Sequence, residues 1–199
     1  MEVGVKFNER NIASYLARFI FERKHLLLVP NCSWPGSECD LLAVTPNLRV
    51  IDVEIKISRA DLRADAKKEK WFEYEKYQPG VWPRAKHRIS YPRRVWKHYY
   101  CLPATIWKPE LYDCMNSVSG LLLIDDAKPR ESIGYGATRI PENHGFRIRV
   151  ERRAKPDTKA DKITAENAID IARLASLRMW DSFEEADKLR ARGREHESV

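Results

Sequence analysis

Long apolar runs are missing from this chain of 199 residues. The longest, Leu26 to Pro30 and Gly120 to Ile124, have the length of a strand, far short of the ~20 residues of a membrane span. The opening MEVGVKFNER carries early acids and no apolar h-region, so no secretory signal is expected. No internal repeat or low-complexity segment is present, which excludes a repeat array. Cysteine is scarce. Cys32, Cys39, Cys101 and Cys114 form no C-x-x-C pair and no zinc-finger spacing. His25, His87, His98, His144 and His196 show no metal-ligand spacing either. Buried reduced thiols in a cytoplasmic protein are the plain expectation, and a zinc site from Cys101, Cys114 and a histidine is its rival.

What the chain does have is charge on an otherwise ordinary globular background. Lys and Arg number 36 against 29 Asp and Glu, a net charge of +7, and 43% of residues are hydrophobic. That balance is too apolar for disorder, and the length suits one domain with a sizeable core. The positive excess favours an anionic partner.

The apolar pattern predicts an α/β layered domain. Ile12, Tyr15, Leu16, Phe19 and Ile20 recur at helical spacing, with Asn8 as N-cap, so a helix is expected over Asn8 to Phe21. Strands are expected at Leu26 to Pro30, Cys39 to Thr45 and Leu48 to Ile57, the last two forming a hairpin. Ser58 and Asp61 open a second helix that should run to about Tyr77, before Pro79 and Gly80. Val81 to Lys97 reads as a loop, followed by strands at His98 to Leu102, Gly120 to Ile124 and Gly145 to Glu151. After a hinge at Pro156 and Asp157, a last helix covers Thr164 to Arg192. Its apolar side is assigned to Ile169, Ala172, Leu174, Leu177, Trp180, Phe183 and Ala186. The chain thus divides into a core over residues 1–155, with a basic aromatic insertion at about 78–97, and a C-terminal helix with a polar tail over 156–199.

The third strand carries the most informative pattern. Side chains alternate across a strand, so Ile51, Val53, Ile55 and Ile57 share one face, and Asp52, Glu54 and Lys56 share the other. The plain expectation for the second set is a solvated outer face. Three neighbours argue for chemistry instead. A hairpin could set Asp40 beside Glu54, and two converging carboxylates suit a hard divalent cation such as Mg²⁺. Lys56, one pleat beyond Glu54, could orient a water or stabilise charge on a phosphate. Glu9, on the first helix, could reach the same end of the sheet.

Asp40, Glu54 and Lys56 in this order resemble the PD-(D/E)xK nuclease superfamily, with E-C-D-L-L in place of the literal P-D. The run Glu54-Ile55-Lys56-Ile57-Ser58 through Asp61, Asp65 and Lys67 is similar to the E-x-K-x-S-x-x-D-F-x-x-D-x-K run of MmcB-like DNA-repair proteins and related phage and bacterial nucleases. Leu62 replaces the Phe of that run. The likeness covers about residues 9 to 125, and the insertion departs from it. The resemblance implies a restriction-endonuclease-like mixed central sheet flanked by helices, and Mg²⁺-dependent hydrolysis of DNA phosphodiesters, with Mn²⁺ able to substitute. Asp40, Glu54 and the backbone carbonyl of Ile55 would then hold the metal, Lys56 would position water or stabilise the transition state, and Glu9 would assist the metal. Asp52, Asp61 and Asp65 read as structural, with supporting roles near the metal as the alternative.

The insertion supplies a nucleic-acid surface in this reading. Arg84, Lys86, Arg88, Arg93, Arg94 and Lys97 fall in a stretch without an acid, interleaved with Trp82, Tyr91 and Trp96. Packing of the tryptophans against the body is the rival role for those rings. Three functions follow in order: a metal-dependent DNA nuclease, a DNA-binding protein of the same fold that does not cleave, and an α/β module whose basic face binds acidic proteins. A homodimer through the apolar side of the last helix is one use of that side; closing the monomer's own core is the other.

Overall fold

The computed structural model describes residues 7–21, 24–75, 86–126 and 146–197. Helix α1 spans Glu9–Tyr15 and continues as a π-helical turn over Leu16–Phe21. Three strands follow: β1 (Leu27–Cys32), β2 (Cys39–Val44) and β3 (Val50–Ile55). Helix α2 (Arg59–Asp65) leads through a 3-10 turn at Glu69–Trp71 to β4 (Phe72–Tyr74), and β5 is Lys86–Arg88. The chain returns in β6 (Lys97–Pro103), β7 (Gly120–Asp126), β8 (Phe146–Arg152) and α3 (Ala165–Glu197).

One six-stranded sheet organises the molecule in the order β1-β2-β3-β6-β7-β8. The β3–β6 and β6–β7 pairs are parallel and the others antiparallel, so the sheet is mixed, as the sequence pattern predicts. On one face, Ile12, Leu16 and Phe21 pack on Leu41, Ala43, Ile51, Val53 and Ile55. On the other, Leu62 and Trp71 pack with Tyr100, Leu102, Leu121 and Leu123. Gly120 is demanded by the first face: a Cβ there would press on the Tyr99 ring and lie 2.8 Å from the Ala154 nitrogen.

The second helix is much shorter than predicted. It is capped as expected by Ser58, whose Oγ accepts the Asp61 N–H at 3.1 Å, but it ends at Asp65. Lys68 is extended, at φ −64 and ψ 146. In a continuous helix Trp71 would lie about 9 Å of rise beyond Asp65. The break lets its indole N–H reach the Asp65 carboxylate at 3.2 Å. Tertiary bonding of Lys70 and Trp71 therefore overrides local helix propensity. The insertion, expected as a loop, also contains structure, since β5 pairs with β4.

The last helix packs by a different side from the one predicted. Ile171 is buried, with Ala168 and Ala175 against the cluster around Val29, Cys39, Leu42 and Val50. Ile169, Leu177, Trp180 and Phe183 are at least half exposed. Small side chains let α3 lie close along β1, covering an edge strand whose open hydrogen-bonding groups would otherwise invite pairing. Among the described residues no helix is long and apolar enough to cross a membrane.

Candidate functional site

The site forms where β2 and β3 stop pairing. Their ladder ends at Leu41↔Val53, and one residue beyond it the Asp40 carboxylate takes the place of a backbone acceptor. Its Oδ2 accepts the Ile55 N–H at 2.6 Å and lies 3.4 Å from the Lys56 ammonium. Lys56 Nζ also donates to Glu54 Oε2 at 2.6 Å. Lys56 thus bridges the two carboxylates that the sequence pattern pairs.

The polar face of β3 is not a solvated face. Asp52, Glu54 and Lys56 are all buried, because α2 and the turn after it lie over them, while Ile57, expected in the core, is 41% exposed. The turn brings a second lysine. Lys70 Nζ sits 2.7 Å from Glu54 Oε1 and 3.4 Å from Asp65 Oδ1, although neither it nor Glu54 Oε1 gains a well-aligned hydrogen bond. Lys68, half exposed, approaches Asp65 at 3.2 Å and Glu54 at 3.8 Å. Asp65 is anchored from its other side by the Tyr100 hydroxyl at 2.7 Å and the Trp71 indole at 3.2 Å. Sequence reasoning missed Lys70, Tyr100 and this anchoring role of Asp65. The available signal was the charged run Lys67-Lys68-Glu69-Lys70, directly after Asp65-Ala66 and directly before Trp71.

Electrostatics follow from this crowding of charge. Burial raises the Asp40 carboxyl, aided by Glu54 and Glu9 and opposed by Lys56. Burial would depress the Lys56 ammonium, but Glu54 and Asp40 outweigh it and hold it above the usual lysine range. Asp65 is also pushed up by burial, yet Lys70, the Tyr100 hydroxyl and Lys56 win, leaving it well below the carboxylate range. Asp52 is the opposite case. Burial lifts it to about 7, with Lys70 opposing; the Cys39 thiol abuts it, but neither oxygen has a well-formed hydrogen bond. His98 faces Asp52 at 3.8 Å and contacts the Ser119 hydroxyl at 2.9 Å; burial, then Lys70, depress it well below the histidine range.

Access comes from the α1 side. Asp40 and Ile55 line a cleft of about 440 Å³ together with Glu9, Arg10, Asn31, Arg178 and Ser182. Glu9 is exposed in the first turn of α1, where the Asn8 side chain accepts the Asn11 N–H at 2.8 Å. The later turns of α3 form the opposite wall, tied to α1 by Arg10–Glu185 at 3.2 Å. Glu54 and Lys56 lie behind Asp40, not in the cleft lining.

The donors suit a hard divalent cation. Glu54 Oε1 is buried against Lys70 with no well-aligned hydrogen bond, Asp40 lines the cleft, and Ile55, next to Glu54 in the chain, bonds Asp40 through its N–H. Among the described residues no three Asp, Glu, His or Cys groups converge as a metal cage. Two carboxylates plus water and phosphate oxygens are nonetheless an ordinary Mg²⁺ set, since that ion keeps several waters. Binding would require the Lys70 ammonium to yield Glu54 Oε1.

The basic residues of the insertion are dispersed. Arg84 and Trp82 lie outside the described residues. Lys86 pairs with Glu69 at 3.3 Å and stands over the Phe72 ring, and Arg88 donates to the Ala66 carbonyl at 3.2 Å. Arg93 and Arg94 are exposed, Arg94 stacking over Trp34 at 5.3 Å. Lys97 is opposite Ile51, at the other end of β3 from Lys56. Trp96 packs against the core, as the rival role for the tryptophans required. Cys32, Cys39 and Cys101 are buried free thiols and Cys114 is half-buried.

No family model matches this chain, and no curated protein matches it. Among solved structures it is similar to the SPO1766 protein of unknown function from Silicibacter pomeroyi. The two share 14% identity and a TM-score of 0.51 over 94% of this chain and 96% of the other. That likeness concerns the fold alone.

Proposed function

We propose that this chain is a metal-dependent DNA nuclease of the PD-(D/E)xK kind, acting in the cytoplasm in repair, recombination, defence or phage DNA processing. The observation that carries the reading is the Lys56 ammonium held between Asp40 and Glu54 at the open end of a β-hairpin, directly behind a cleft. In this reading Asp40, Glu54 and the Ile55 carbonyl hold Mg²⁺ or Mn²⁺. The ion supplies a Lewis acid that lowers the pKa of a bound water and neutralises phosphate charge. The Ile55 N–H fixes the Asp40 carboxylate, limiting its motion. Lys56 sets a positive charge where negative charge grows on the phosphate, in a water-poor environment where such an interaction is strong. Glu9 faces the same cleft and orients water from the α1 side. Exposed Arg93 and Arg94 offer contacts to the DNA backbone.

A DNA-binding protein of the same fold that does not cleave is the second reading, favoured by one observation: both Glu54 oxygens lie against lysines, at 2.6 and 2.7 Å. The two separate in one assay. The purified chain is incubated with plasmid, branched and single-stranded DNA in Mg²⁺, Mn²⁺ or EDTA. The nuclease reading expects cleavage in metal that EDTA and Glu54→Ala both abolish. Binding without cleavage in either metal supports the second reading. Cleavage that survives Glu54→Ala refutes the assignment of the site.

A further inference from the structure

Glu54 presents a physical difficulty for any cation-dependent reading of this site. It is fully buried, with an ammonium on each oxygen: Lys56 at 2.6 Å and Lys70 at 2.7 Å. A divalent cation arriving at Glu54 would meet two buried positive charges. Neither lysine can retreat to water, since both side chains are 3% exposed. A buried ammonium stripped of its partner is strongly destabilising, so the cation can bind only if another anion takes the lysine.

Asp65 is placed to be that anion. It is 0% exposed, and its Oδ2 is pinned by Tyr100 and Trp71, so the carboxylate is fixed and remains ionised beside them. Its Oδ1 is buried and makes no hydrogen bond. That oxygen lies 3.2 Å from Lys68 Nζ, which is half exposed and able to swing into water, 3.4 Å from Lys70 Nζ and 3.9 Å from Lys56 Nζ. Lys70 therefore stands between two carboxylates, in close contact with Glu54 at 2.7 Å and in looser contact with Asp65 at 3.4 Å. Changing partner takes a small torsional adjustment of a flexible four-carbon chain, and the ammonium never leaves an anion.

We propose that Asp65 is a positioning residue that makes Glu54 available: on cation binding, Lys70 passes from Glu54 to Asp65, and Glu54 turns its freed oxygen to the metal. This rests on the metal-dependent reading of the site. It adds the ion-pair exchange that such a reading requires, and gives roles to Lys70 and Asp65, neither of which lines the cleft. Lys56, shared with Asp40, keeps its place, so the exchange leaves one ammonium at the reacting end and moves the other to the rear.

The test is Mn²⁺ affinity of the full-length chain without DNA, measured by isothermal titration and by electron paramagnetic resonance of free Mn²⁺. Asp65→Asn keeps the shape and the Tyr100 acceptor but removes the second anion. It is expected to weaken Mn²⁺ binding about 10-fold or more. Lys70→Gln releases Glu54 and is expected to tighten it by about the same factor. Lys67→Gln is the control for net charge, because Lys67 is exposed just beyond α2; it should change affinity little. Equal tightening by Lys67→Gln and Lys70→Gln reduces the effect to net charge and overturns the exchange. So does weakening by both Asp65→Asn and Lys70→Gln, which is what a merely structural network would show. If Asp65→Asn does not fold, the Lys70→Gln and Lys67→Gln pair decides alone. Failure of the unaltered chain to bind Mn²⁺ overturns the metal reading itself, a result distinct from binding with the wrong response in the variants.

Discussion

Asp52→Asn should stabilise the protein, and the gain should grow with pH. Asp52 is fully buried on β3 with both oxygens lacking a hydrogen-bond partner, among Lys70, Glu54, Asp40, Cys39 and His98. Its carboxyl titrates at about 7 in the folded chain, against 3.8 for the ordinary group. Between those values the native state holds a proton that the unfolded chain has released. The native state binds more protons, so this group makes stability fall as pH rises through the window. At about 1.4 kcal/mol per pH unit, the loss reaches roughly 4 kcal/mol above pH 7. Attraction between ionised Asp52 and Lys70 is already contained in that figure. Asn has the same shape and no charge, so the variant escapes the loss. Urea unfolding of both proteins at pH 5, 6, 7 and 8 measures it. The difference in unfolding free energy should be about 1.6 kcal/mol at pH 5 and rise to roughly 4 kcal/mol at pH 8. Other titrating groups are common to both proteins and largely cancel in the comparison. A difference that is flat with pH, or a variant less stable at pH 8, would mean that Asp52 is ionised and satisfied in the fold.

The other predictions concern packing and the nucleic-acid surface. Ile171→Ala should cost about 2–4 kcal/mol in urea unfolding, because Ile171 is the buried anchor of α3. Phe183→Ser should stay within about 0.5 kcal/mol, since that ring is exposed; equal losses from both would mean that α3 packs by its large apolar side after all. Gly120→Ala should destabilise, and trimming Tyr99 to Ala in the same chain should recover part of the loss, because the Tyr99 ring is the flexible neighbour that the new Cβ meets. Replacing Arg93 and Arg94 by Ala should weaken duplex DNA binding and flatten its logarithmic salt dependence by about 0.9 for each phosphate no longer neutralised. An unchanged slope removes those two residues from the interface.

The hairpin and its charged triad were legible because strand alternation is strict. Once Ile51, Val53 and Ile55 are assigned to the core, Asp52, Glu54 and Lys56 must share the other face. What that face meets was not legible. The residues over it, Asp65, Lys68, Lys70 and Trp71, sit in a charged stretch that reads locally as a solvated helix. Only the buried acids on β3 make it favourable for Lys70 to turn inward and end the helix early. The packing side of α3 was misread for a related reason. Pattern reasoning ranks large apolar residues as core, while Ala168 and Ala175 are favoured against β1 because they are small and allow close approach. The insertion's pairing of Phe72–Tyr74 with Lys86–Arg88 spans a long connection, which local turn signals do not reveal.

The most direct test of the nuclease proposal is the single-turnover cleavage rate of labelled DNA in Mg²⁺ and in Mn²⁺, for the unaltered chain and for Lys56→Ala, with DNA affinity measured in EDTA alongside. Metal-dependent cleavage should fall about 100-fold or more on loss of the Lys56 ammonium while DNA affinity is retained. Cleavage at the same rate without Lys56, or bound DNA left intact by the unaltered chain in both metals, would contradict the proposal.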